Sequence, residues 1–267
     1  MPFAKVNNIN MYYEINGTGE PLILVAGLAG DSSLWARITP FLTKDYKVIV
    51  FDNRGSGQSD KPDISYTVKM MSDDLAGLLD ALGIKETHIF GVSMGGMIAQ
   101  QFALDYPQRL LSLILGCTAS GGPNTVGLED AANMVNPKNR DTLSAEENIK
   151  LMIHQTLTKK FIDGNPEIIE EIVAYRTKNP ADPVGRARQF QAVMFHDTYD
   201  KLPNITTRTL VIAGDEDMVI HPENSRILAS RIPNSTLVIL KDLGHDFRTE
   251  SPDETSKIIL DFLKRNE

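Results

Sequence analysis

Apolar residues along this chain alternate between two rhythms. Short runs of β-branched and aliphatic residues, four to eight long and apolar on both sides, recur at positions 11–15, 21–26, 47–52, 88–92, 111–116, 209–213 and 236–240. Segments with apolar positions three and four apart lie between most of them, at 31–42, 68–82, 94–106, 222–232 and 252–263. The first rhythm predicts buried strands and the second amphipathic helices. Ser251 ahead of Pro252 supplies a cap and a first-turn proline for the last of these. Strands that alternate with helices predict an α/β fold, a mostly parallel twisted sheet with helices on both faces. The first two strands are too close for a helix between them, so an antiparallel hairpin through Gly17-Thr18-Gly19 is expected at the sheet edge.

The alternation stops between Ala119 and Pro203, where helices are predicted at 144–157, 166–178 and 184–195 with no convincing strand. Three helices exceed what one strand-to-strand crossover needs. Residues 1–118 and 204–267 are therefore expected to form the core, and 119–203 an inserted helical cap.

With 267 residues, 42% of them hydrophobic, the chain can fill a substantial core. A formal charge of −8 with no basic block argues against nucleic acid as a partner. The N-terminal residues Met1-Pro2-Phe3-Ala4-Lys5-Val6 lack an apolar signal core, and no run is long enough to span a bilayer, so a cytoplasmic protein without membrane association is expected. Cys117 is the only cysteine, which removes intrachain disulfides and multi-cysteine metal sites. It ends an apolar run, as a buried structural thiol does.

The chemistry concentrates at Gly91-Val92-Ser93-Met94-Gly95-Gly96, between the strand at 88–92 and a helix beginning at Met94. A serine on so tight a reversal is held in a strained conformation with small neighbours, Gly91 and Gly95, and its hydroxyl stands clear of the sheet. The helix N-terminus aims free N–H groups, that of Met94 first, at an oxyanion formed beside Ser93. Two later strands end in Gly214-Asp215-Glu216-Asp217 and in Gly244-His245. In a parallel sheet those ends share one edge with the Ser93 turn. His88 lies inside a strand, His154 and His196 fall in the helical insert, and His221 follows the acids too closely to come from another strand, leaving His245 as the base. The residues alone leave Asp215 and Asp217 both open as the acid. Three adjacent acids on one turn lack the complementary ligands of a metal site, and no cofactor is expected.

Over essentially its whole length the chain resembles the α/β-hydrolase fold superfamily. Four segments carry the likeness: Val25-Ala26-Gly27-Leu28, Asp52-Asn53-Arg54-Gly55-Ser56-Gly57-Gln58-Ser59, the Gly91 to Gly96 elbow, and the Gly214 to Asp217 and Gly244-His245 pair. The resemblance implies a catalytic triad of Ser93, Asp217 and His245, choosing Asp217 because the family's acid stands three residues after the glycine and just before an apolar pair. It also implies an oxyanion hole made by the backbone N–H groups of Leu28 and Met94, and a structural role for the Asp52 to Ser59 loop. Ala26 stands where the family commonly has histidine, which removes a supporting side chain without removing the donor.

Serine in place of a dehalogenase's aspartate argues against halide displacement and epoxide opening. The segments around Ser93 and His245 resemble carboxylesterases and 3-oxoadipate enol-lactonases, and also cofactor-free haloperoxidases. The expectation is a carboxylesterase acting on small or medium esters, with an enol-lactone hydrolase or a haloperoxidase/perhydrolase as alternatives within the class. A non-catalytic ligand receptor on a hydrolase fold is the alternative outside it, and would be expected to have lost a triad member. Trp35, Met134, Met152, Phe161, Phe190 and Met194 are candidates for an apolar acyl pocket under the cap.

Overall fold

The computed structural model describes residues 2–136 and 143–264. In chain order the elements are β1 Phe3–Val6, β2 Ile9–Asn16, β3 Glu20–Val25, α1 Thr39–Leu42, β4 Tyr46–Phe51, α2 Val68–Ala81, β5 Thr87–Val92, α3 Met94–Asp105 and β6 Leu110–Gly116. Five helices follow before the next strand: α4 Leu128–Val135, α5 Ala145–Thr156, α6 Lys159–Gly164, α7 Pro166–Lys178 and α8 Pro183–Met194. The chain then returns to the sheet with β7 Thr209–Gly214, α9 Glu223–Arg231, β8 Ser235–Leu240, α10 Phe247–Glu250 and α11 Pro252–Lys264.

The eight strands form one sheet in the order β1-β2-β4-β3-β5-β6-β7-β8, antiparallel at the β1, β2 edge and parallel from β4 onward. Because successive strand residues point to opposite faces, each strand feeds two cores. Ile23, Val25, Ile89, Leu113, Leu115 and Val211 pack with α2, α3 and α9. Leu22, Leu24, Phe90, Ile114, Leu210 and Ile212 pack with Trp35, Ile38, Leu42 and the α11 residues Ile259, Phe262 and Leu263. Burial on both faces explains why these strands read as continuous apolar runs. Among the described residues no helix is long and apolar enough to cross a membrane.

Three local expectations change. The hairpin expected between the first two predicted strands does not form, because β4 lies between them, antiparallel to β2 and parallel to β3. The run Tyr46–Phe51 is mostly buried and needs a neighbour on either side. The true edge hairpin joins β1 to β2 through Asn7-Asn8, at φ 42° and 66°, the left-handed pair that a two-residue turn requires. The helix expected at 31–42 breaks into a 3-10 turn, Ser32–Trp35, and the single turn α1. Pro40 lacks the N–H that a continuous helix would use there. The segment between β6 and β7 holds α4 and α6 beside the three expected helices, α6 started by the Thr158 hydroxyl accepting the Phe161 N–H.

Candidate active site

Ser93 occupies φ 55°, ψ −125°, between the end of β5 and the first turn of α3. The neighbours hold it there. Its N–H donates to the Gly116 carbonyl at 2.9 Å, and its own carbonyl accepts the Thr118 hydroxyl at 2.7 Å. A methyl group at Gly95 would lie 2.0 Å from the Val25 carbonyl oxygen, and one at Gly91 would lie 2.2 Å from the Gly95 oxygen. These glycines are imposed by close approach of backbone to backbone. From Thr87 to Gln100 every residue is buried except Ser93. The strain therefore serves presentation: one side chain of a sealed strand-turn-helix unit reaches the surface of a cavity.

In the wall of the same cavity, His245 Nδ1 hydrogen-bonds Asp217 Oδ2 at 2.8 Å. Asp217 Oδ1 accepts the N–H groups of Val219 and Ile220, both at 2.8 Å. The carboxyl group is thus buried, with both oxygens hydrogen-bonded. Asp215 and Glu216, its neighbours on the turn, are exposed. Burial alone would strip charge from the His245 imidazole, but the Asp217 carboxylate outweighs it and holds the pKa well above the ordinary histidine value. The bond assigns the ring proton to Nδ1 in the neutral form and leaves Nε2 to accept.

Ser93, His245, Gly27 and Leu28 line one side of a cavity of about 660 Å³, and the helices between β6 and β7 roof the other, with Ile149, Met152 and Ile153 from α5 and Tyr175 and Arg176 from α7. Of the six apolar candidates, only Met152 is among the lining residues. Trp35 is wholly buried in the core against Phe90, ring centroids 5.2 Å apart, and under the Arg248 guanidinium. Met134, Phe161 and Phe190 are half-buried away from the lining, and Met194 is exposed. Met94 is buried at the start of α3, where the first N–H groups of a helix have no partner inside it.

The loop bearing Leu28 is held from behind. Asn53 donates to the Ala26 carbonyl at 3.1 Å, a support that does not depend on the missing family histidine. Asp52 takes the N–H groups of Ser32 and Gln58, both at 2.7 Å, and Arg54 is buried against Asp74 at 2.6 Å and over Tyr66. Arg54 is accordingly spent on the scaffold. Two of the other histidines are committed elsewhere: His88 bonds Ser112 at 2.7 Å inside the sheet, and His221 accepts the Glu223 N–H.

Two features escape a reading of the sequence. Cys117, at φ 40°, is brought within 4.8 Å of the Asp217 and His245 ligand atoms. Asp217 and His245 spend their facing atoms on each other, so the three, with the buried Cys117 thiol beside the pair, are not a set of convergent free donors. Glu250 accepts the Gly244 N–H at 2.9 Å and the Thr158 hydroxyl at 2.6 Å, tying the His245 loop to the start of α6. Its spacing after His245 was the available signal. Burial raises the Glu250 pKa against these bonds.

A model of the alpha/beta hydrolase fold matches residues 20–252. The chain is similar to a protein of Stutzerimonas stutzeri named "Putative carbamate hydrolase RutD", 30% identical and covering 95% of this chain and 96% of that one. Among solved structures it is similar to an enol-lactonase from Burkholderia xenovorans, with TM-score 0.86, 28% identity and 98% and 100% of the two chains covered. It is also similar to a thermophilic esterase from Thermogutta terrifontis, with TM-score 0.87, 30% identity and coverage of 98% and 97%. The sheet order, the strained serine turn and a family match over most of the chain lead to one conclusion: this protein belongs to the α/β-hydrolase fold family.

Proposed function

We propose that the protein is a serine hydrolase that cleaves small or medium carboxylic esters through an acyl-enzyme on Ser93. The single observation that carries this reading is the bonded pair His245–Asp217 at 2.8 Å, opening on the same cavity as a serine held at φ 55°. His245 Nε2 takes the hydroxyl proton as Ser93 Oγ attacks the carbonyl carbon. Asp217 keeps the proton on Nδ1 and stabilises the imidazolium. The Leu28 and Met94 N–H groups receive the oxyanion, each worth about 3 kcal/mol in the transition state. His245 then returns the proton to the leaving alkoxide, and water repeats the sequence on the acyl-serine. The helices from α4 to α8 act as a cap that excludes bulk water and shapes the acyl site.

A lactone, such as the B. xenovorans protein's name indicates, or a carbamate, as in the S. stutzeri name, presents the same carbonyl to the same serine. The ester is preferred because α5 brings the aliphatic side chains Ile149, Met152 and Ile153 to the cavity, beside the polar Tyr175 and Arg176 of α7. The test is labelling with a fluorophosphonate, followed by turnover of matched p-nitrophenyl esters, an enol-lactone and a carbamate. An adduct on Ser93 and at least about 10³-fold loss of ester turnover in Ser93→Ala are expected. No adduct with unchanged turnover would remove the enzyme reading, and a large preference for lactone or carbamate would replace the substrate class.

A further inference from the structure

Gln189 is a polar residue on a helix of the insert, yet it is completely buried. Its amide bridges two loops of the core. Oε1 accepts the Ala29 N–H at 2.8 Å, while Nε2 donates to the Arg54 carbonyl at 2.7 Å and to the Ser56 hydroxyl at 2.9 Å. The partners fix which end is which, since an N–H can only donate and a carbonyl only accept. Ala29 stands at φ 56°, a conformation that disfavours a residue with a Cβ and persists only under external constraint. It immediately follows Leu28. The loop is pinned on the other side by Asn53 at Ala26 and closed by the Gly30 N–H to Gly27 carbonyl bond at 3.1 Å. The Leu28 N–H therefore lies between two side-chain pins, one from the core and one from α8.

We infer that Gln189 is a positioning residue for the oxyanion hole: through Ala29 it sets the aim of the Leu28 N–H, so that the seating of the helical insert governs transition-state stabilisation. This rests on the serine hydrolase reading above. The same helix has a plainer attachment to the core one residue away, where Arg188 bonds exposed Asp63 at 2.7 Å. If Gln189 were only an attachment, the two would behave alike.

A pair of substrates separates the roles. In a thionoester, sulfur replaces the carbonyl oxygen; its longer bond and weaker acceptance of hydrogen bonds make it insensitive to an aligned donor. Gln189→Leu is expected to lower kcat for an aryl ester by about 10- to 100-fold with KM changed less than about threefold, and to lower the thionoester rate much less. The oxygen-to-sulfur rate ratio should fall about tenfold. Gln189→Glu keeps an acceptor for the Ala29 N–H and, when its carboxyl is protonated, a donor to the Arg54 carbonyl, so it should recover most of the ratio; Gln189→Asn, one methylene shorter, takes the place of the leucine variant if that does not fold. Arg188→Ala should leave the ratio at the wild-type value. A folded Gln189→Leu or Gln189→Asn with a wild-type ratio, its two rates lowered equally or not at all, would overturn the inference, as would a Gln189→Glu ratio no higher than that of the leucine variant. Absence of a fluorophosphonate adduct on wild-type Ser93 would instead overturn the hydrolase reading, and this inference with it.

Discussion

The strand-turn-helix unit around Ser93 and the helical segment carrying α5, α7 and α8 face each other across one cavity, but they are held in place by different physics. At the elbow, backbone meets backbone at Gly91 and Gly95, Gly96 meets the Thr118 side chain, none of the three has space for a methyl group, and the serine conformation follows from steric exclusion. In the helical segment side chains reach distant partners: Gln189 to Ala29, Arg176 to Asp31 and Thr158 to Glu250. Contacts of the first kind are steric and unforgiving. Those of the second are long-range, individually worth about 1 kcal/mol, and replaceable. Chemistry placed on the first and selectivity on the second is a division that substitutions can test.

The largest effect is expected where the elbow's partners are charged. Asp217→Asn should lower kcat by about 10⁴, because the amide favours the wrong imidazole tautomer. Activity requires neutral His245, so it is lost as pH falls through the His245 pKa. Asp217 holds that pKa up, and without it burial dominates, so the acid limb of kcat/KM should move to lower pH. Asp215→Asn, at an exposed carboxylate, should change kcat less than about threefold. The reverse ranking would reassign the acid.

One substitution made in both regions gives the next contrast. Gly95→Ala forces a methyl group to within 2.0 Å of the Val25 oxygen and 2.8 Å of the Ala26 oxygen. Denaturant titration should show a loss of about 3 kcal/mol or more, with turnover reduced about 10²-fold as the Leu28 loop shifts. Gly164→Ala, at the end of α6 with nothing within 4 Å, should be neutral or stabilising by about 0.5 kcal/mol. Similar losses at both positions would erase the distinction.

How much was legible follows the same division. Gly91-Val92-Ser93-Met94-Gly95-Gly96 announces its geometry because only glycine tolerates such close approach, although the atoms it meets, the Val25 oxygen among them, lie elsewhere in the chain. The two-faced apolar runs announce the sheet because burial writes itself on every position. The hairpin through Asn7-Asn8 was local, a pair of residues tolerant of positive φ, but β1 has only four residues and sits ahead of a stronger run. Which strand lies beside which depends on all strands at once, so the β2 and β3 runs read as partners although β4 separates them. Trp35 and Met152 are both large apolar residues near helical turns; only tertiary packing sends one into the core and the other into the cavity. Gln189 reads as a solvent-facing polar residue, and nothing nearby in sequence names its partners.

The end of the insert supplies a pH-dependent probe. His196 is buried with its Nε2 unbonded, and burial, against the pull of Asp197, lowers its pKa to about 4. Between about pH 4 and the ordinary value near 6.5 the unfolded chain binds a proton that the folded one refuses, so stability rises with pH across that window. Full expression would cost up to about 3 kcal/mol on acidification. Unfolding midpoints should therefore rise from pH 4 to pH 7 for the wild type, and the rise should flatten for His196→Leu. A wild-type slope unchanged in the variant would assign the acid sensitivity to carboxylates.

The finest test compares two methionines of the helical segment. Met152 lines the cavity beside Ile149 and Ile153, whereas Met194, at the end of α8, is 38% exposed. Truncating Met152 to alanine removes about three methylene-sized groups from the wall facing Ser93, and each such group is worth about 1 kcal/mol of discrimination. A series of p-nitrophenyl esters should show kcat/KM for the short esters falling and the optimum moving to longer acyl chains, by roughly tenfold in the long-to-short ratio. Because the elbow is untouched, the fluorophosphonate labelling rate should hardly change. Met194→Ala should leave the ratio where it is. If both substitutions move the ratio equally, selectivity lies in the global seating of the helices rather than in the cavity wall, and if neither does, the acyl chain leaves Ser93 by a path that avoids α5.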